Sequence, residues 1–341
     1  MHAKNGISRR TAGALMAAAL AATAGAGLTS ASAQTLKRVN VGMQPIVNGP
    51  IYIAIKEKYF ESLGLDVNLV KFTAGPPQFA ALAGGQIDLA WGGMGAFMLA
   101  KSNGQDLNFI SIFMDYNPLQ AMVVPGNSPI QSPKDLAGKK IALVIGSDAH
   151  YGTMRTLAKH GVDPKSVTLL GMAPPQQIAA LEKGDVDAMY VWEPFVTPLV
   201  EKGARVISRM PELDPGSSFL SWAGRREWLE ANSDTVIKIL KGWNMGLKKM
   251  KEDPELAIKL TLEQTGMGES QARTIVKGLV HFDAAAALDP ASPAYWAKGS
   301  KLNKILHDFH AFGKEAGITK NDTDIDGFVM TKFMQAVKDG R

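Results

Sequence analysis

No cysteine occurs in the 341 residues of this chain. That absence excludes disulfides, thiolate metal sites and cysteine nucleophiles together, and with them any lipid anchor carried on a cysteine. No G-x-S-x-G elbow appears, so serine hydrolysis of that type has no foothold. Long basic blocks are also missing. Lys139-Lys140, Arg225-Arg226 and Lys248-Lys249 are short and scattered, which removes support for nucleic-acid binding. Beyond Leu28 no apolar run approaches membrane-spanning length.

What is present begins with the amino terminus. Lys4, Arg9 and Arg10 precede an uncharged, Ala-rich stretch from Thr11 to Leu28, and Ala31-Ser32-Ala33 follows. A positive segment, an apolar segment and an A-x-A site are the parts of a cleavable export signal, expected to span residues 1–33 with Gln34 as the first mature residue. A membrane anchor fits less well, because the run is rich in Ala, Gly and Thr. Arg9-Arg10 after Ser8 suits the twin-arginine route, while Ala12 stands where that signal usually has a large apolar residue; both export routes stay open. Without a lipid anchor the mature chain is expected to be free in the periplasm. The net charge of +5 includes the three positive charges of that leader, which leaves +2 for the rest.

The mature chain is long enough for one large or two medium domains. Arg38–Met43 alternates as a strand, Ile51–Leu63 carries apolar residues at helical spacing, and Asp66–Phe72 alternates again. A short helix at Gln78–Gly84 and a strand at Ile87–Trp91 follow. The pattern restarts after Asn127: a helix start at Ser132–Leu136, a buried strand at Lys140–Ile145, a helix from Tyr151 to His160, strands at Val167–Leu170 and Val186–Val191, and a helix at Gln176–Lys183 between them. Strands separated by helices call for parallel pairing with right-handed crossovers, so each set predicts an α/β lobe. From Arg226 onward the pattern is helical, clearest at Ser233–Met250 with Val236, Ile237, Leu240, Trp243 and Leu247 on one face. This tail is expected to pack back on the first lobe. Lobe one would then hold residues 34–120 and 225–341, lobe two residues 121–224, and a two-stranded hinge would run through 114–124 and 216–224.

Four segments in this order carry a resemblance. Gly49–Pro76 (GPIYIAIKEKYFESLGLDVNLVKFTAGP), Ala81–Ala90, Asp135–Ala142 and Gly161–Phe195 resemble the periplasmic binding proteins of the nitrate, sulfonate, taurine and thiamine-precursor uptake group. The resemblance covers the mature chain to about residue 225. It implies a two-lobed α/β periplasmic binding protein of type II that captures a small organic solute, anionic or heteroaromatic, for an ABC permease in the inner membrane. It implies no cofactor, no metal, no catalysis and a monomer. One enzymatic branch of the fold makes the thiamine pyrimidine with a cysteine-rich iron-binding motif, and cysteine is absent here. A ligand-sensing role beside a membrane receptor is the remaining alternative.

In such sheets a ligand lies at the carboxyl ends of the strands. Gly42, Gly75, Gly92, Gly93, Gly95 and Gly146 fall close after predicted strands, where glycine lets backbone approach a ligand and a helix start adds a positive dipole end. Among them Gly75 and Gly93 are expected at the ligand; Met94, with Phe97 and Met98, is a candidate apolar floor, although residues at this helical spacing are more often core. Gln44 and Asn48 follow the first strand, in a loop where the resemblance places ligand contacts. Ser147, Asp148, His150 and Tyr151 follow the first strand of lobe two; Ser147 is the natural helix cap, and His150 and Tyr151 offer an imidazole and a phenol. Trp192 and Glu193 stand at positions that commonly face the cleft in the group, with a helix-capping or hinge-locking role as the other reading of Glu193. Trp222, on the presumed return crossover, is a candidate cleft wall, with core packing the reading that the residue alone favours. No arginine follows the predicted lobe-one strands, which argues against a doubly charged ligand.

Overall fold

A computed structural model describes residues 35–341 apart from 45, 47, 214 and 215; the predicted leader lies outside the described residues. Among the described residues ten strands form two five-stranded sheets. The strands are β1 (Lys37–Met43), β2 (Leu65–Lys71), β3 (Leu89–Gly93), β4 (Leu107–Asp115), β5 (Gln120–Val124), β6 (Lys140–Leu143), β7 (Thr168–Gly171), β8 (Ala188–Trp192), β9 (Arg205–Arg209) and β10 (Phe219–Arg225). The first sheet runs β2-β1-β3-β10-β4 and the second β7-β6-β8-β5-β9. In each, the first three strands are parallel, and the strand that arrives from the other lobe enters antiparallel beside the third. The two lobes therefore share one topology, as the repeated βα pattern predicts.

The chain crosses between lobes twice, from β4 to β5 and again between β9 and β10. The second crossing lies earlier than expected. All of β10 belongs to the first sheet, between β3 and β4, so the upper bound of lobe two falls before Phe219 rather than at 224. Six of its seven residues are buried, as a central strand covered on both faces requires.

The predicted Ile51–Leu63 helix is two helices, Gly49–Lys56 and Tyr59–Ser62, broken at Lys58, whose φ of 58° is left-handed. The helical tail packs on lobe one. Helix Ser233–Glu252 lies so close to Gly49–Lys56 that a Cβ on Gly246 would stand 2.1 Å from the Pro50 carbonyl oxygen. Its buried face holds Val236, Ile239, Leu240, Trp243 and Leu247, and Trp243 reaches Phe113 and Trp222 of the sheet. Burial of such side chains stabilises by about 1.5–3 kcal/mol each.

Candidate functional site

The carboxyl ends of both sheets face each other across a small cavity. Gln44 and Ile46 come to it from the end of β1, Gly93 from β3, and Trp192 from β8. Three helices begin at its wall: Gly75–Ala83, Met94–Ser102 and Asp148–Lys159. Tyr116 on the first crossing and Leu220 on β10 complete it. The lobes stand nearly shut. About 20 Å³ remains between them, room for one water.

The lobe-one side is held by a residue that sequence reasoning missed. Gln78 is fully buried and donates through Nε2 to the carbonyls of Gly42 (2.9 Å) and Trp91 (2.7 Å), joining the ends of β1 and β3. Its Oε1 accepts from Gln44 Nε2 at 3.1 Å, which aims the Gln44 amide at the cavity. On the lobe-two side Ser147 caps its helix: Oγ accepts from the Ala149 N–H at 3.2 Å and donates to the Val144 carbonyl at 2.7 Å.

Asp148 spans the cavity. From the first turn of its lobe-two helix its carboxylate reaches lobe one, where it accepts from the Gly95 N–H and, through Oδ1, from Ser218 Oγ at 3.0 Å. Ser218 accepts in turn from Gln120 Nε2 at 2.8 Å, so the carboxylate is tied into both interlobe crossings. Burial is the largest influence on it and pushes its pKa up to about 6, against the lowering effect of those hydrogen bonds. Tyr116 is buried beside it; burial first, and then the charges of Asp148 and Glu193, hold its hydroxyl well above the usual range.

Of the predicted residues, Gln44, Gly75, Gly93, Ser147 and Trp192 line this cavity. The others lie elsewhere. Trp222 is wholly buried in the lobe-one core, with ring centroids 6.1 Å from Trp91, 6.0 Å from Phe113 and 6.4 Å from Trp243; it is core, not cleft wall. Glu193 turns away to the hinge side, accepting from the Thr197 N–H and Oγ1 and from Gln271 Nε2. Its hinge-locking reading is the one the geometry favours. His150 and Tyr151 meet the tail helix Lys301–Glu315: Tyr151 stacks on Phe309 at 4.1 Å, and His150 stands edge-on to Phe312 at 5.1 Å. They border a separate groove of about 700 Å³ on the outside of the cleft. Burial pushes the His150 pKa down to about 4, in keeping with Nδ1 accepting from the Gly146 N–H. Met94 and Asn48 are fully buried outside the cavity lining, and the Asn48 amide has no hydrogen-bond partner among the described residues.

Asp148, Tyr116, Ile46, Ala96 and Leu220 line the cavity without having been singled out as ligand contacts. The sequence carries a signal for Asp148, but an acid in the first turn of a helix is ordinarily explained by the dipole alone. No group of three or more His, Asp or Glu residues able to hold a metal occurs among the described residues.

The comparisons with known proteins agree with this architecture. A protein of Bacillus subtilis (strain 168), named as aliphatic sulfonates-binding, is 28% identical over 266 residues, which is 76% of this chain and 79% of its own. The taurine-binding periplasmic protein of Escherichia coli (strain K12) is 28% identical over 284 residues, 80% of this chain and 85% of its own. Among solved structures, the alkanesulfonate-binding protein SsuA from Xanthomonas axonopodis pv. citri bound to MOPS superposes with a TM-score of 0.74 at 22% identity, covering 86% of this chain and 98% of that one. A more distant fold neighbour, the desulfurization enzyme DszB, has a TM-score of 0.63 at 14% identity over 89% of this chain and all of its own. The fold is that of the periplasmic binding proteins. The NMT1/THI5-like family model matches residues 46–257, and the chain belongs to that family.

Proposed function

We propose that this chain is the solute-binding component of an ABC importer, exported to the periplasm, where it captures one small organic solute between its lobes and presents the closed form to a permease. The observation that carries this reading is the convergence of strand ends and helix starts from two like-folded lobes on one enclosed cavity. The two crossings supply the hinge, and Asp148, Ser218 and Gln120 join across it. The relatives named for aliphatic sulfonates and taurine support small organic solutes as the class. Binding rather than catalysis is favoured by the cavity's own groups. The Ser147 hydroxyl donates to the Val144 carbonyl, so it is not poised as a nucleophile against a base.

A thermal-shift screen of the mature chain from Gln34 tests the proposal. A small solute that binds only the folded form stabilises it by about 2.7 kcal/mol at a hundredfold excess over Kd. A rise in melting temperature with a small organic solute is expected. Stabilisation by peptides or nucleic acid, with none from small solutes, would remove the receptor reading.

A further inference from the structure

The cavity's charge points to the kind of solute, an inference that rests on the receptor reading above. Among the described residues that line it there is no lysine, arginine or histidine, and the one ionisable group besides a tyrosine is the Asp148 carboxylate. An anion would therefore depend on helix N-termini, and each of the three has first-turn donors missing or already engaged. Helix Gly75–Ala83 opens Gly-Pro-Pro, so two of its first-turn positions have no N–H to offer. Helix Met94–Ser102 has its Gly95 N–H taken by Asp148. Helix Asp148–Lys159 is capped by Ser147 and carries the Asp148 charge in its own first turn. An incoming sulfonate would have to displace a carboxylate and then lie against it.

A solute bearing a protonated nitrogen meets the opposite situation. The carboxylate is an acceptor held between Ser218 and Gly95, and Tyr116 and Trp192 line the same cavity, aromatic side chains of the kind that attract a cation. Glu193, whose charge also reaches Tyr116, adds to the negative field. The raised pKa of Asp148 fits a buried acid with no counter-cation of the protein's own.

We propose that Asp148 is the specificity-determining residue of the cleft, occupying the lobe-one anion cradle with the protein's own carboxylate so that the site accepts solutes with a protonated amine or amidine and refuses anions that lack one. The Asp148 side chain turns from Gly95 to the incoming N–H group as the solute is enclosed, exchanging a neutral donor for a charged one, so that the bond becomes an ion pair.

The test uses matched pairs on the wild-type mature chain by thermal shift and titration calorimetry: taurine against ethanesulfonate, and benzylamine or benzamidine against benzenesulfonate or benzoate. The nitrogen-bearing member of a pair is expected to bind at least tenfold more tightly. Asp148→Asn is expected to lose most of that preference, and Asp148→Ala, which empties the cradle at Gly95, to gain affinity for ethanesulfonate. Circular dichroism confirms that each variant is folded, and the wild-type comparison stands without either. Equal or tighter binding of the nitrogen-free anion by the wild type overturns the inference and leaves the receptor reading intact. So does an amine affinity unchanged in Asp148→Asn. Binding of no nitrogen-bearing member of any pair also overturns the inference, while the receptor reading is decided by the wider solute screen above.

Discussion

Glu193 Oε2, at the end of β8 in lobe two, accepts a hydrogen bond from Gln271 Nε2 of the lobe-one helical tail at 2.8 Å. Both residues are buried, with exposures of 6%. The bond joins the two lobes beside the first crossing, in the nearly shut arrangement described above. Gln271→Ala deprives a buried carboxylate of one donor, which costs about 1.5–3 kcal/mol. The closed form should become rarer, with a larger radius of gyration by small-angle scattering in the presence of ligand. Ligand affinity should fall by about tenfold or more. An unchanged affinity would mean that the latch plays no part in closing.

Trp192 and Trp222 separate the cleft from the core. Trp222→Ala removes an indole that packs against Trp91, Phe113 and Trp243, and should destabilise the fold by about 3–5 kcal/mol. Trp192→Ala takes a wall from the cavity instead. It should weaken ligand binding by about tenfold or more while changing the urea midpoint far less. Equilibrium unfolding and calorimetry on the two variants give a double dissociation, and the reverse pattern would move the binding site elsewhere.

The two tryptophans also show what a sequence can and cannot reveal. Trp192 ends a short apolar run between turn signals, so its strand and its place at the strand end were both readable. Trp222 lies in a run buried on both faces, which suits a central strand of either sheet, and its partners β3 and β4 are more than a hundred residues earlier. Strand β9 was unreadable for another reason. It is an edge strand flanked by arginines, and Arg205 is spent on the carbonyls of Ser128 and Ile130. His150 and Tyr151 follow β6 as expected, but their direction is set by Phe309 and Phe312 on a helix whose docking no local pattern announces. Asp148 was in view throughout. Its role depends on Gly93, Gly95 and Ser218, which only the closed lobes bring to it.

Three groups make opposing contributions to stability as pH changes: Asp148 and His150, both buried, and His281, half-buried with its ring nitrogens enclosed. Asp148 is raised from 3.8 to about 6 by burial, so its contribution is full below pH 3.8 and is lost as pH rises through 6. His150 and His281 are each lowered from 6.5 to about 4, again chiefly by burial, so theirs is full above pH 6.5 and is lost as pH falls through 4. Two histidines outweigh one carboxyl, and net stability should rise by a few kcal/mol, to order of magnitude, between pH 4 and 6.5. Urea unfolding across that window checks the sign. His281→Phe should flatten the rise, and Asp148→Asn should steepen it by removing the opposing group. A fall in stability over the same window would mean that Asp148 dominates.

Gly93 gives the sharpest test of how the lobes close. Its φ of −68° and ψ of 151° suit any residue, so alanine imposes no backbone strain on lobe one. A Cβ there would nevertheless lie 2.0 Å from Asp148 Oδ2, an atom that arrives from the other lobe. Gly93→Ala should therefore fold with near-normal stability and fail to shut, staying open by small-angle scattering at ligand concentrations that compact the wild type. Adding Asp148→Ala removes the clashing atom, so the double variant should close again when given ethanesulfonate, the anion for which that truncation is expected to gain affinity. Gly95 differs in one instructive respect. Its Cβ would stand 2.8 Å from the backbone nitrogen of Asp148 and from the Ser147 carbonyl carbon, which no side-chain change relieves. Gly95→Ala should stay open whether or not Asp148 is truncated. Rescue of Gly93→Ala alone would place the Asp148 carboxylate at the contact where the two lobes meet; rescue of both or of neither would place closure on some other surface.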